Sequence, residues 1–251
     1  MSINDLKTNK NIFYFAHRGA PWVQEENTIG SFVEAINLGC EGIEMDVQLT
    51  KDNHIIIFHD YHIIFKKSYH KIKDLNHSTI KYMMRKMQKP EPPVFDLVIP
   101  LITQHPNTIF NIEIKSRAIN NHIIIKHIKN KLTTHKINEQ CIVSSFNYLL
   151  LLQTKFLFKE SSIALIMGEK RLIKKKIWIY KLLIKILRPQ FLHINWQFLS
   201  KQFLGWLRNQ NMGANVYTVN NKAAEKKMVD MGISVFFTDN HRFYSKSISR
   251  D

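Results

Sequence analysis

The sequence predicts an α/β protein, a (β/α)8 barrel of the TIM type with a short insertion after its second strand. Three observations carry this expectation. Eight β-prone runs recur along the chain, and segments of helical apolar spacing separate most of them. A length of 251 residues with 45% apolar content suits one barrel, so a single domain over 1–251 is expected. Ionisable side chains stand at or near the ends of several runs, where such a barrel builds its active site.

The first run, Ile12-Phe13-Tyr14-Phe15-Ala16, leads straight into His17-Arg18-Gly19. A short β-prone run ending in charged residues and glycine reads as a buried strand delivering side chains to a site. From Asn27 to Leu38 the apolar residues Ile29, Phe32, Val33 and Ile36 follow helical spacing, with Thr28 as N-cap. In the second strand, Ile43 to Leu49, alternation puts Ile43, Met45, Val47 and Leu49 on one face and Glu44, Asp46 and Gln48 on the other. The turn cluster Lys51-Asp52-Asn53 and the run His54 to Asp60 complete a hairpin. A tip near Asp52-Asn53 sets His59 across from Asp46. Glu44, Asp46 and His59 then gather in one place, and His17 arrives from the first strand. Paired carboxylates offer the hard oxygen ligands and negative charge that a divalent cation needs. Two histidines beside them suit general acid and general base work, because their pKa lies near neutrality.

Residues 61–100 are basic, aromatic and irregular, with a short helix over Ser78–Met87 ended by Pro90, Pro92 and Pro93. The barrel pattern restarts in Ile109 to Lys115, which presents Glu113 and Lys115 on one face. Helices are then expected over Ile119–Leu132, Asn147–Phe156, Leu199–Asn209 and Lys222–Met231, and strands from Cys141, Ser161, Phe191, Ala214 and Ser234. Lys170–Arg188 has two readings. It is an outer barrel helix with its lysines in water, or a basic amphipathic helix resting on anionic membrane. Arg171, Lys174, Lys181, Lys185 and Arg188 form its basic stripe, and Trp178 and Tyr180 widen its apolar face.

The net charge is +16, yet no helix-turn-helix, zinc-finger or RNP signature is present, so no specific nucleic-acid partner is expected. Attraction to anionic substrates or anionic lipid, or a general bias towards Lys, Ile and Asn, accounts for the charge. Cys40 and Cys141 lie in apolar surroundings and read as reduced core thiols. Met1 to Lys10 is polar with no apolar core segment, and no run of about 18 apolar residues occurs. The expectation is a soluble cytoplasmic protein, with peripheral membrane contact through 170–188 as its one membrane option.

The order His17-Arg18-Gly19, Glu26-Asn27-Thr28, Glu44-x-Asp46-Val47, Thr50-Lys51-Asp52 and His59-Asp60 resembles the glycerophosphodiester phosphodiesterases. The resemblance covers nearly the whole chain. It implies metal-dependent hydrolysis of a glycerophosphodiester to glycerol 3-phosphate and an alcohol such as choline or ethanolamine. On that reading Glu44, Asp46 and Glu113 hold one divalent cation, Ca²⁺ or Mg²⁺. Arg18 and Lys115 bind the substrate phosphate, and His17 and His59 are the general acid and base. Tyr217 stands in the substrate pocket where the family usually has Trp. The family also shows an arginine and glycines soon after the second histidine, where this chain has Lys66-Lys67 and no glycine. Two other readings stay open: a lysophospholipase D-like activity at a membrane, and a non-catalytic anion-binding barrel.

Overall fold

The computed structural model describes residues 3, 6, 11–168 and 170–245, with backbone alone for 170–177. The chain runs β1 (Phe13–Ala16), α1 (Ile29–Asn37), β2 (Gly42–Leu49), β3 (Ile55–Ile57), β4 (His62–Phe65), β5 (Ser68–Lys71), α2 (His77–Lys86) and α3 (Ile99–Gln104). It continues through β6 (Ile109–Ile114), α4 (His122–Thr134), β7 (Cys141–Ser145), α5 (Tyr148–Leu157), β8 (Ser162–Met167) and α6 (Lys170–Leu187). The last elements are β9 (Phe191–Asn195), α7 (Lys201–Asn209), β10 (Gly213–Tyr217), α8 (Lys222–Val229) and β11 (Val235–Thr238).

Strands β1, β2 and β6 to β11 are parallel neighbours, and β1 pairs with both β2 and β11, so the sheet closes into an eight-stranded (β/α)8 barrel. Each barrel strand begins within one residue of its expected start. Two apolar layers hold the closed sheet. One face of the strands (Ile43, Met45, Val47, Phe110, Ile112) clusters with helix residues such as Phe32, Ile124 and Ile128. The other face fills the barrel with Phe13, Phe15, Ile109, Phe191 and Phe237, joined by Ile3 and Leu6. Phe15 and Phe237, opposite one another in the β1–β11 register, stack with ring centroids 4.7 Å apart. Cys40 and Cys141 are buried free thiols, and burial pushes the Cys40 thiol up to about 12.

The excursion after β2 differs from expectation in two ways. The turn spans Thr50 to His54, closed because the Thr50 N–H donates to the His54 carbonyl and the His54 N–H to Thr50 Oγ1. Its centre is therefore Asp52, with Asn53 left-handed at φ 62°. This shifts the register by one, so the Phe58 N–H, not His59, meets the Asp46 carbonyl at 2.9 Å. The strand also stops at Ile57, which frees His59 to turn towards the barrel mouth. Secondly, the segment read as irregular contains the hairpin β4–β5. Lys66 and Lys67 form its two-residue tip at φ 47° and 64°, the backbone that Asn-Gly normally takes. Without those residue types the turn carried no local signal.

On α6, Ile184 and Leu187 are buried, while Trp178, Leu182 and Ile186 stand exposed at i, i+4 and i+8. Lys181 lies over the Trp206 ring at 5.1 Å. The Arg171 and Lys174 side chains of the expected basic stripe lie outside the described residues. No described helix is long and apolar enough to cross a membrane.

Candidate active site

The C-terminal ends of β1, β2 and β6, with the segment after β3, bring most of the expected residues together. The β2–β6 register places Asp46 directly beside Glu113, and Glu44 one inward step before Asp46. As a result Glu44, Asp46 and Glu113 each offer a carboxylate oxygen within 4.8 Å of the others. All three residues are buried. A cavity of about 160 Å³ opens above them, lined by His17, Arg18, Glu44, His59, Glu113, Lys115 and Tyr217 among others.

The turn after β1 is built by close packing. Gly19 has φ 87°, and a Cβ there would lie 2.3 Å from Ser31 Oγ, so α1 can approach only a glycine. Arg18 is left-handed at φ 59°, and its N–H donates to Glu44 Oε2 at 2.9 Å. Its guanidinium grips Glu26 through two contacts, at 2.9 and 3.1 Å, and lies 3.4 Å from Asp46. The Lys115 ammonium sits 2.9 Å from Glu113 and 3.4 Å from Asp46. Two cations thus stand on Asp46.

Three residues to which the sequence assigned no role contribute here. Asn27 holds Asp46 at both ends: its Nδ2 donates to Asp46 Oδ2 at 2.9 Å, and its Oδ1 accepts from the Asp46 N–H at 3.1 Å. Glu26 orients Arg18. Asp239, just beyond β11, lies 2.7 Å from His17 Nδ1 and is itself held by Asn220. The signal that could have found Asp239 was its place at the end of the last barrel strand. His59 lies more openly, with Asp60 2.8 Å from its Nδ1. Tyr217 donates its hydroxyl to the Met167 carbonyl at 2.9 Å, which fixes its ring in the cavity wall.

The electrostatics separate the acids. Burial, and then the charge of Asp46, push the Glu44 carboxyl up to about 8 and that of Glu113 up to about 7. Asp46 goes the other way: against its burial, Lys115 and Arg18 hold it below the usual carboxylate range. Burial opposes protonation of His17, but its bond to Asp239 and the charge of Glu44 raise it. Burial lowers His59. The two histidines are therefore biased in opposite directions.

Glu44 Oε1 is buried and receives no hydrogen bond. A buried carboxylate oxygen without a donor, beside two more carboxylates and no thiolate, fits a hard divalent cation.

Residues 17–242 match the model of the Glycerophosphoryl diester phosphodiesterase family. A glycerophosphodiester phosphodiesterase of Bacillus altitudinis is 26% identical over 232 residues, covering 90% of this chain and 93% of that protein. One of Caldanaerobacter subterraneus subsp. tengcongensis is 27% identical over 231 residues, covering 89% and 92%. Among solved structures, an Oleispira antarctica phosphodiesterase in complex with the product sn-glycerol-3-phosphate superposes with a TM-score of 0.79 at 22% identity, covering 95% of this chain and 97% of that one.

Proposed function

Because the chain belongs to the glycerophosphoryl diester phosphodiesterase family, and is by that membership a phosphodiesterase, we propose that it hydrolyses glycerophosphodiesters to glycerol 3-phosphate and an alcohol. The observation that carries the reading is the buried Glu44–Asp46–Glu113 cluster facing one cavity with His17 and His59. The whole chain, 1–251, acts as one barrel unit with about 61–100 as its insertion.

Glu44, Asp46 and Glu113 hold one divalent cation, Ca²⁺ or Mg²⁺. When bound, it supplies positive charge where the phosphate oxygens gain negative charge. Arg18 presents its fork to the same oxygens, and Glu26 keeps that fork from swinging away. Lys115 adds a second charge from the β6 side. His17, steadied by Asp239, and His59, steadied by Asp60, stand at the two histidine positions of the site. One takes the proton of the attacking oxygen, either that of water or that of the glycerol's own hydroxyl with water then opening the cyclic phosphate, and the other gives a proton to the departing alcohol oxygen. Tyr217 and Phe146 wall the cavity where the glycerol carbons lie.

The test is glycerol 3-phosphate release from glycerophosphocholine in Ca²⁺, Mg²⁺ or EDTA. Metal-dependent release is expected, and no release with any metal overturns the reading. A second reading places the enzyme on anionic membrane as a lysophospholipase D-like protein. The exposed row Trp178, Leu182 and Ile186 favours it. Co-sedimentation with anionic vesicles at moderate salt tests that contact, and its absence removes it.

A further inference from the structure

Two depressions border the catalytic cavity, one sharing His59 with it and one sharing Lys115, and their charges differ. On the His59 side lies a pocket of about 250 Å³ whose acids are Glu25, Glu26, Asp60 and Glu91. Three of these are already in ion pairs: Glu26 with Arg18, Asp60 with His59, and Glu91 with Lys81 and Arg85. On the Lys115 side lies a groove of about 660 Å³ between the β2–β3 turn, the β4–β5 hairpin and the loop after β6. Its wall carries Lys51, Lys71, Lys73, Lys115 and Arg117 and not one acidic residue. Nearby Asp52 is turned away, accepting from Thr50 Oγ1 and the His77 N–H. Lys51, Lys71 and Lys73 form no ion pair with a described acid. Arg117 is braced over the Tyr61 ring at 4.4 Å.

Uncompensated like charges around a cavity repel one another and gain when an anion enters. Lys115 belongs to both the groove and the catalytic cavity. That cavity is small, about 160 Å³ against about 660 Å³ for the groove, so the alcohol of a diester can extend from it past Lys115.

We propose that the groove is a subsite for the leaving alcohol, and that it selects alcohols bearing a second anionic group, a phosphate above all, over neutral or cationic ones. This rests on the hydrolytic reading above but goes beyond it, since the chemistry of the site itself asks only for one phosphodiester. Lys71 at the end of the hairpin, Lys73 in the turn just after it and Lys51 on the β2–β3 turn supply charge, and Arg117 supplies a fixed fork.

The experiment compares glycerophosphoinositol with glycerophosphoinositol 4-phosphate, a pair differing by one phosphate. Two forms are used: the wild-type protein, and a Lys51→Gln/Lys71→Gln/Lys73→Gln variant. The three lysines are exposed and touch none of the catalytic groups. Expected is about a tenfold higher kcat/KM for the 4-phosphate, carried by KM, as two or three partly exposed charge contacts would give. The variant should lose the preference while keeping wild-type turnover of glycerophosphoinositol. Equal kcat/KM for the pair, or a preference unchanged in the variant, overturns the proposal. Calorimetric binding of both compounds to His17→Ala separates the two readings. If the wild type releases glycerol 3-phosphate from neither compound nor from glycerophosphocholine, the hydrolytic reading fails, and the groove still stands or falls on tighter binding of the 4-phosphate. The source of the phosphate is settled by vesicles containing phosphatidylinositol 4-phosphate. Lysine-dependent sedimentation with no preference between the soluble pair would make the groove a lipid-headgroup site and overturn its role as a substrate subsite.

Discussion

Replacing Asp239 by Asn probes how His17 is held. Asp239 Oδ1 lies 2.7 Å from His17 Nδ1, and Oδ2 accepts from Asn220 Nδ2 at 2.6 Å. Asparagine keeps the shape, but it removes the charge and puts a donor against one of two donors. A hydrogen bond to a charged group contributes about 1.5–3 kcal/mol, so turnover should fall by about 10- to 100-fold at 1.36 kcal/mol per factor of ten. The KM and the metal affinity should hardly move, since Asp239 touches neither the acidic cluster nor the groove. The sign of the pH effect follows from the same contact. Asp239 helps His17 keep its proton to higher pH, so Asp239→Asn should move the His17 limb of the pH–rate profile to lower pH. The assay is glycerol 3-phosphate release, with kcat and KM measured across pH and the fold checked by circular dichroism. A folded variant with wild-type kcat and an unmoved limb would refute the idea that Asp239 positions this histidine.

Other perturbations should separate the remaining roles. His17→Ala and His59→Ala should each lose at least about 10²-fold in kcat while metal binding persists; full activity in either would remove that histidine from proton transfer. Glu44→Gln should weaken metal affinity, and excess metal should partly restore activity, as metal titrations would report. Burial lowers the His193 pKa from 6.5 to about 3, so the unfolded chain takes up the proton first. Stability is then fullest above pH 6.5 and falls as pH drops towards 3, by up to about 1.4 kcal/mol per pH unit; denaturant melts should show this slope, and His193→Leu should flatten it. Lys67→Gly at φ 64° removes a left-handed side chain and should stabilise by about 1 kcal/mol, raising Tm by about 2–4 °C; an unchanged Tm would mean that the hairpin tip is not strained.

By itself the sequence determined the alternation of strands and helices, because the apolar period is a local property. It also determined which acids share a face: Glu44 and Asp46 are two residues apart on a strand, and that spacing allows nothing else. His17-Arg18-Gly19 was legible for the same reason, as polar groups closing an apolar run. Only the tertiary structure decided what lies across from what. The β2–β6 register set Glu113 beside Asp46, and barrel closure carried Asp239 across 222 positions to His17. The five-residue turn at Thr50–His54 moved the expected pairing of His59 by one, a shift that hydrogen bonds of the turn impose and hydrophobic alternation cannot report. The β4–β5 hairpin escaped notice because its tip is Lys66-Lys67, held left-handed by the strands on either side rather than by its own preference. Side-chain periodicity is written residue by residue, whereas register, closure and the neutralisation of one charge by another are settled only when distant segments meet.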